Sequence, residues 1–418
     1  TLNSLGTQVV ANVLTVRAQN AVAINSNAAR LNAAITGSGD FILTNGANLA
    51  IATGASVLTA NGAVTLTAAN LVLDGSIQAG PNGSSNVTLN VGAGEITGSG
   101  TLNAGNLAWA AVNQASDGGW NYSGLTATVT SAGNGIAINR PQDADLTIYG
   151  LTTAGGPINV SLTGLQGNLT FAGNLVAGGN DNVSLAVANG GITSQPGTLL
   201  AVNVLNVAAR DSVDLATNVS SLIGNISGPS GGLTIREVDS LAVKAGDAVI
   251  ANGPISINVG TGGAGNFTLN GTLNSVPRAN VTIAVPSGSI LGNGVLESGN
   301  LTWVARSQDP AVSNNWNYTG LNATVTGAGE NLSVTNNGSL TIFGLATNSG
   351  TITIEPTDDT VATNVDLRGN VVAGQTETGG NAVVININGA INSNGGTIFG
   401  KSLNITVAGD STLSTNVT

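Results

Sequence analysis

The sequence predicts an all-β chain wound as a right-handed parallel β-helix (a β-solenoid), extended as a single elongated rod. Three observations predict it. The chain repeats itself over a long period, a short strand–turn–strand template recurs inside that period, and the composition suits a narrow tube better than a layered sandwich.

The long period is clearest at the tryptophans. Leu107-Ala108-Trp109-Ala110 returns as Leu301-Thr302-Trp303-Val304, a shift of 303 − 109 = 194. Trp120-Asn121-Tyr122 returns as Trp316-Asn317-Tyr318, a shift of 316 − 120 = 196. Ile148-Tyr149-Gly150-Leu151 returns as Ile342-Phe343-Gly344-Leu345, and Leu49-Ala50-Ile51 as Leu241-Ala242-Val243. Asp211-Ser212 comes back as Asp410-Ser411. On this reading residues 1–198 form one repeat unit, 199–396 a second, and 397–418 begin a third. Repetition of this kind marks solenoids and arrays, in which each unit touches only its neighbours.

The short template is an apolar residue, a few small polar residues around a glycine, then alternating apolar positions. Val249-Ile250-Ala251-Asn252-Gly253-Pro254-Ile255-Ser256-Ile257 is one case. Alternation such as Val87/Leu89/Val91 or Val383/Ile385/Ile387 turns one face inward and leaves Thr, Asn and Ser outside. Gly and Asn-Gly tolerate positive φ and mark the corners. No stretch sustains a helical period, and no connection is long enough to hold the crossover helix of a βαβ unit.

Composition separates the two all-β architectures that remain. Aromatics are 3% of the chain, Cys is absent and Gly numbers 60. A sandwich core of this size needs large aromatics to fill the space between its sheets, whereas stacked Val, Ile, Leu and Ala fill a narrow tube. Stacking also sets like on like, so Asn and Thr side chains can form ladders along the axis. Coils of roughly 20–25 residues would give about 17–21 turns and, at about 4.8 Å each, about 80–100 Å of length. The crossovers should be right-handed, as parallel connections nearly always are.

Charge excludes several function classes. Charged residues are 7% of the chain and the net charge is −11. Two lysines and eight arginines provide no basic face for phosphates, so no nucleic-acid partner is expected. Mean hydropathy is +0.26, yet the longest apolar runs, such as residues 107–112, are far too short to span a bilayer, so no transmembrane segment is expected. With no signal peptide and no Met, the chain reads as a processed product or an excised segment.

The chemistry is sparse as well. Zero His and zero Cys remove the commonest general base, the commonest metal ligand and thiol chemistry, so no cofactor and no metal are expected. The Gly-x-Gly strings lack the lysine of a phosphate loop. Only carboxylate pairs, or Asp with Arg, remain as catalytic candidates. The clusters are Asp143/Asp145 near Arg140, Asp211/Asp214 near Arg210, Glu237/Asp239 near Arg236, and Asp358/Asp359 near Glu355. Asp is also a turn residue, and Asp143 and Asp145 align with Asn337 and Ser339 in the second copy, which cannot do acid–base work. The expectation is a non-enzyme. Arg368-Gly369 is followed by Asn370, so there is no Arg-Gly-Asp motif, and the Thr-x-Thr fragments do not recur from coil to coil as an ice-binding array would.

All four tryptophans and two of the three tyrosines fall in residues 109–122 and 303–318. The polar stretches between them, residues 113–119 and 308–315, break the coil template and read as loops thrown out from the rod. Trp109, Trp120, Tyr122, Trp303, Trp316 and Tyr318 are therefore the candidate lateral or glycan contacts if exposed; if they fold back, they cover a groove.

Phrases such as Leu58-Thr59-Ala60-Asn61-Gly62-Ala63-Val64-Thr65-Leu66-Thr67-Ala68, and Gly232-Leu233-Thr234-Ile235 followed by Leu241-Ala242-Val243, resemble the repeat regions of filamentous-haemagglutinin-like bacterial surface exoproteins. The resemblance covers essentially the whole chain and is one of texture. It implies a right-handed β-helical shaft, secreted to the cell surface and serving adhesion or biofilm. The family's N-terminal secretion domain is absent from this sequence, and no functional residues carry over. The reading is thus an extracellular structural or adhesive protein: the shaft of a bacterial fibre or giant adhesin, partnered by further copies of its own repeat, end to end or side by side, and by glycans or other cells. A polysaccharide-binding or polysaccharide-degrading β-helix protein is the alternative.

Overall fold

Short alternating segments between glycine corners have one good way to bury their apolar side. Each strand lays its backbone against its equivalent in the next turn, and the inward side chains close a tube. The computed structural model describes residues 2–113, 119–310, 312–336, 338–356, 363–374 and 381–417. Among them the chain is strand and corner throughout. The only helical pieces are short 3-10 turns at Pro81–Gly83, Gly178–Asn180 and Val312–Asn315. No described helix is long and apolar enough to cross a membrane. The chain divides into two compact units, Thr1–Leu205 and Asn206–Thr418, and both are parallel β-solenoids.

In the first unit three columns of strands stack. One column runs through Phe41–Asn45, Val64–Thr67, Val87–Asn90, Asn106–Ala111 and Gly124–Val129. A second holds Leu49–Ile51, Leu71–Leu73 and Ile96–Thr97. A third holds Ser56–Thr59, Ser76–Ala79, Thr101–Asn103 and Trp120–Asn121. Every one of these pairings is parallel. Register is kept from turn to turn: Phe41 lies on Val64 and Val64 on Val87, while Leu43, Leu66 and Leu89 form the next row inward. All six are buried. Windings in step, each aliphatic on its equivalent, are what the alternation predicts.

The second unit repeats this build. Leu233–Glu237, Ile255–Asn258, Val281–Leu291, Asn300–Gln308 and Gly320–Ala328 form one column. Leu241–Val243 stacks on Phe267–Leu269, and Ala248–Ala251 on Thr272–Ser275, Val295–Glu297 and Trp316–Asn317. A separate column of four parallel strands is formed by Leu332–Asn336, Ile352–Pro356, Ala382–Ile387 and Ser402–Val407.

The coils vary more in length than the 20–25 residues expected from sequence. Val13 pairs with Arg30, a step of 30 − 13 = 17, and Ile352 pairs with Val383, a step of 383 − 352 = 31.

Two features hold the corners. Asn side chains bridge successive turns, as the stacking of like on like predicts. The Asn70 amide donates to Asn48 Oδ1 at 2.7 Å, and Asn70 Oδ1 accepts from the Glu95 N–H at 2.9 Å. Asn106 and Asn121 donate in the same way to Asn86 and Asn103. Where backbones come too close for any side chain, glycine is required. A Cβ at Gly173 would sit 1.9 Å from the Tyr149 carbonyl oxygen, and one at Gly369 would sit 1.8 Å from that of Phe343.

Candidate functional site

The six aromatic side chains singled out by sequence are core residues. Trp109, Trp120, Tyr122, Trp303, Trp316 and Tyr318 are all buried, with 2–4% of each exposed. The reason is visible in the alternation. Leu107, Trp109 and Ala111 all face inward along one strand, and so do Leu301, Trp303 and Ala305. Trp109 lies between Leu89 and Ala127, and Trp303 between Ile283 and Ala323, so a small residue in the following turn makes room for each indole. Burying an aromatic of about 150–250 Å² stabilises by about 4–6 kcal/mol at about 25 cal/mol per Å², more than an exposed ring gains from occasional contacts. Of the two readings of these six, lateral or glycan contacts if exposed and cover if folded back, the burial corrects the first and agrees with the second. Of the intervening stretches, residues 114–118 and 311 lie outside the described residues.

The carboxylate clusters separate in the fold because neighbours in a strand point to opposite faces. Arg140 turns inward and is buried; its Nη1 donates to the Tyr122 carbonyl at 2.5 Å and its guanidinium lies 4.3 Å over the Tyr122 ring. Asp143 and Asp145 stay outside, where each accepts a backbone N–H from the next turn, from Leu165 at 2.5 Å and Asn168 at 2.7 Å. Arg236 points out and pairs with Asp214 of the preceding turn at 2.5 Å, while Glu237 points in. Asp358 and Asp359 lie outside the described residues. No group of three or more His, Cys, Asp or Glu side chains able to hold a metal ion occurs among the described residues.

Glu237 is the one fully buried carboxylate among the described residues. It accepts from Thr217 Oγ1 at 2.7 Å and from the backbone N–H groups of Val219, Val238 and Asp239. Burial pushes its carboxyl up to about 7, against the hydrogen bonds from Thr217 and Val219. The corresponding residue of the first unit, at a shift of 237 − 45 = 192, is Asn45. Asn45 accepts from Ser26 Oγ and the Ala28 N–H and donates to the Ala28 and Ala47 carbonyls. Both side chains plug the same corner. Arg140 and Asn336 form a second such pair, since Asn336 Nδ2 donates to the Tyr318 carbonyl as Arg140 does to that of Tyr122. Burial also raises the phenol of Tyr318, whose hydroxyl donates to the Thr335 carbonyl at 3.2 Å.

Surface chemistry concentrates elsewhere in the second unit. A groove of about 330 Å³ is lined chiefly by Thr319, Thr341, Asn364, Asp366, Asn392 and Asn394. Thr341, Asp366 and Asn392 occupy one outward row on three successive turns. Phe343 lies two positions beyond Thr341 and is exposed, and Arg368 and Asn394, just past the ends of their strands, are tied to the row by hydrogen bonds to Asp366. Arg368 Nε donates to Asp366 Oδ2 at 2.8 Å and Asn394 Nδ2 to Asp366 Oδ1 at 2.5 Å. These contacts, Arg368's foremost, hold the Asp366 carboxyl below its ordinary range. Phe343 is the extra residue of a β-bulge, where Leu321 pairs with Ile342 but Asn322 pairs with Gly344. Phe343 is 45% exposed and its ring lies over Gly320, where a Cβ would meet it at 2.7 Å.

The first unit carries the same bulge at Tyr149, 52% exposed over Gly124, but the rest of its row differs. Thr170, Ala172, Thr193 and Gln195 stand where the second unit has Asp366, Arg368, Asn392 and Asn394. In the sequence Tyr149 and Phe343 stand out only as repeat markers, and Arg368 only as the start of an Arg-Gly-Asn that is not Arg-Gly-Asp. The signal that would have found this face is the pair of changes Thr170 to Asp366 and Ala172 to Arg368 between the two copies. No protein-family model, no curated protein and no solved structure matches this chain.

Proposed function

We propose that this chain is a length of shaft from an extracellular bacterial surface fibre or giant adhesin, and that its task is mechanical. The observation that carries this reading is the in-step parallel stacking of turns within each unit. Axial backbone hydrogen bonds and unbroken interior rows make a stiff element that lengthens by adding turns.

The sparse charge and the resemblance to filamentous-haemagglutinin-like exoproteins favour a secreted, cell-surface location and a part in adhesion or biofilm.

Immunogold electron microscopy of intact producing cells, with antibody against the purified chain, tests the proposal. Label along thin fibres outside the cell is expected. Label confined to the cell interior, or to globular particles, would overturn it.

A further inference from the structure

We propose that the groove beside Phe343 is a binding site for an uncharged saccharide, occupied by about two linked pyranose rings. A pyranose has an apolar C–H face and a rim of hydroxyls, so its recognition needs an exposed aromatic plane beside fixed polar groups. Both are present here on a rigid sheet. The Phe343 ring is held in place over Gly320, which has no side chain to displace it. Thr341, Asp366 and Asn392 follow one another at the coil spacing, so the row spans about 10 Å.

The polar groups are already oriented. Asp366 is fixed from two sides by Arg368 and Asn394, and Asn392 Oδ1 accepts from Thr412 Oγ1 at 3.1 Å, so the other end of that side chain is an amide donor. The Arg368 side chain remains 60% exposed, so its guanidinium offers donors to hydroxyl oxygens. Charge selects the class of sugar. Asp366 and Arg368 neutralise each other and the chain carries a net charge of −11, so a uronate or sulfated chain is repelled at long range and gains no net local attraction. The first unit supplies a control within the same molecule: Tyr149 stands on the same bulge, but with no ion pair beside it. This inference does not rest on the shaft reading, since a groove of this kind binds equally well on any solenoid.

The test is binding of the intact chain to an array of neutral hexose, N-acetylhexosamine, uronate and sulfated oligosaccharides, with affinities then measured by calorimetry. Retention of a neutral saccharide is expected. Phe343→Ala should weaken it about tenfold or more, the loss expected for removing a stacked ring. Arg368→Ala should also weaken it. Tyr149→Ala should leave affinity unchanged. Arg368→Ala keeps the test decisive should Phe343→Ala fail to fold. Retention of no neutral saccharide, retention of uronate or sulfated chains alone, parental affinity in either weakening variant, or an equal loss in Tyr149→Ala would each overturn the assignment.

Discussion

Glu237 ties stability to pH in a direction opposite to most acidic groups, and Glu237→Gln isolates the effect. In the open chain the carboxyl titrates near its ordinary 4.5, and in the fold near 7. The folded value is the higher one, so the fold prefers the protonated acid. Its contribution is fully present below about pH 4.5, is lost as pH rises toward 7, and then levels off. About 2.5 decades at about 1.4 kcal/mol each amount to a loss of about 3 kcal/mol. Gln stays neutral throughout and fills the corner with a carboxamide, as Asn45 does in the first unit. Urea unfolding of parent and variant, followed by fluorescence of the buried tryptophans, gives the difference at each pH. With a slope of about 2–3 kcal/mol per M, the parent's midpoint should fall by about 1–1.5 M relative to the variant between pH 4.5 and 7.5. Asp366 does not confuse the result. Its folded value lies below its ordinary 3.8, so its contribution is present above that pH and is lost only as pH falls further. Parallel curves for parent and variant across pH 4.5–7.5 would refute the account of Glu237 as a desolvated corner plug.

Three further outcomes follow from the packing. Trp120→Ala, which empties a fully enclosed space above Leu102, should cost about 3–5 kcal/mol in urea unfolding and leave surface binding of any ligand untouched. Arg140→Ala removes the guanidinium that holds the Tyr122 carbonyl and covers its ring, and should cost about 2–4 kcal/mol; Arg140→Asn, the solution used at Asn336, should recover part of that loss. Gly369→Ala places a methyl group 1.8 Å from the Phe343 carbonyl oxygen and must push two turns apart, so a loss of about 2 kcal/mol or more is expected by the same measurement, whereas Gly155→Ala, with no neighbour nearer than 3.7 Å, should be close to neutral.

The period-two alternation made the architecture legible. Val87/Leu89, Ile255/Ile257 and Val383/Ile385 were read as inward pairs, and each is buried in a parallel stack. Axial asparagine bridges were legible as a class, since stacking sets like on like, but the pairing of Asn70 with Asn48 needed the folded register. Both fates of the aromatic clusters, displayed contact or groove cover, stay open in the sequence because a flanking polar stretch looks like a displayed loop; in the fold the six are buried. The same alternation places Trp109 between Leu107 and Ala111 on the inward side, a pattern the polar stretch obscured. The acidic clusters were grouped by nearness in sequence, but Arg236 and Glu237 are on opposite faces of one strand.

Local preference and periodicity are properties of consecutive residues, so sequence alone determined that this chain is made of short strands with an apolar side, repeated about every 195 residues. Which surface residues become neighbours depends on the length of each turn, which ranges here from 17 to 31 residues and leaves no local trace. Only the folded register could set Asp366 over Thr341 and Arg368 beside the bulged Phe343, turning residues some 25 positions apart into one polar face with an aromatic at its edge.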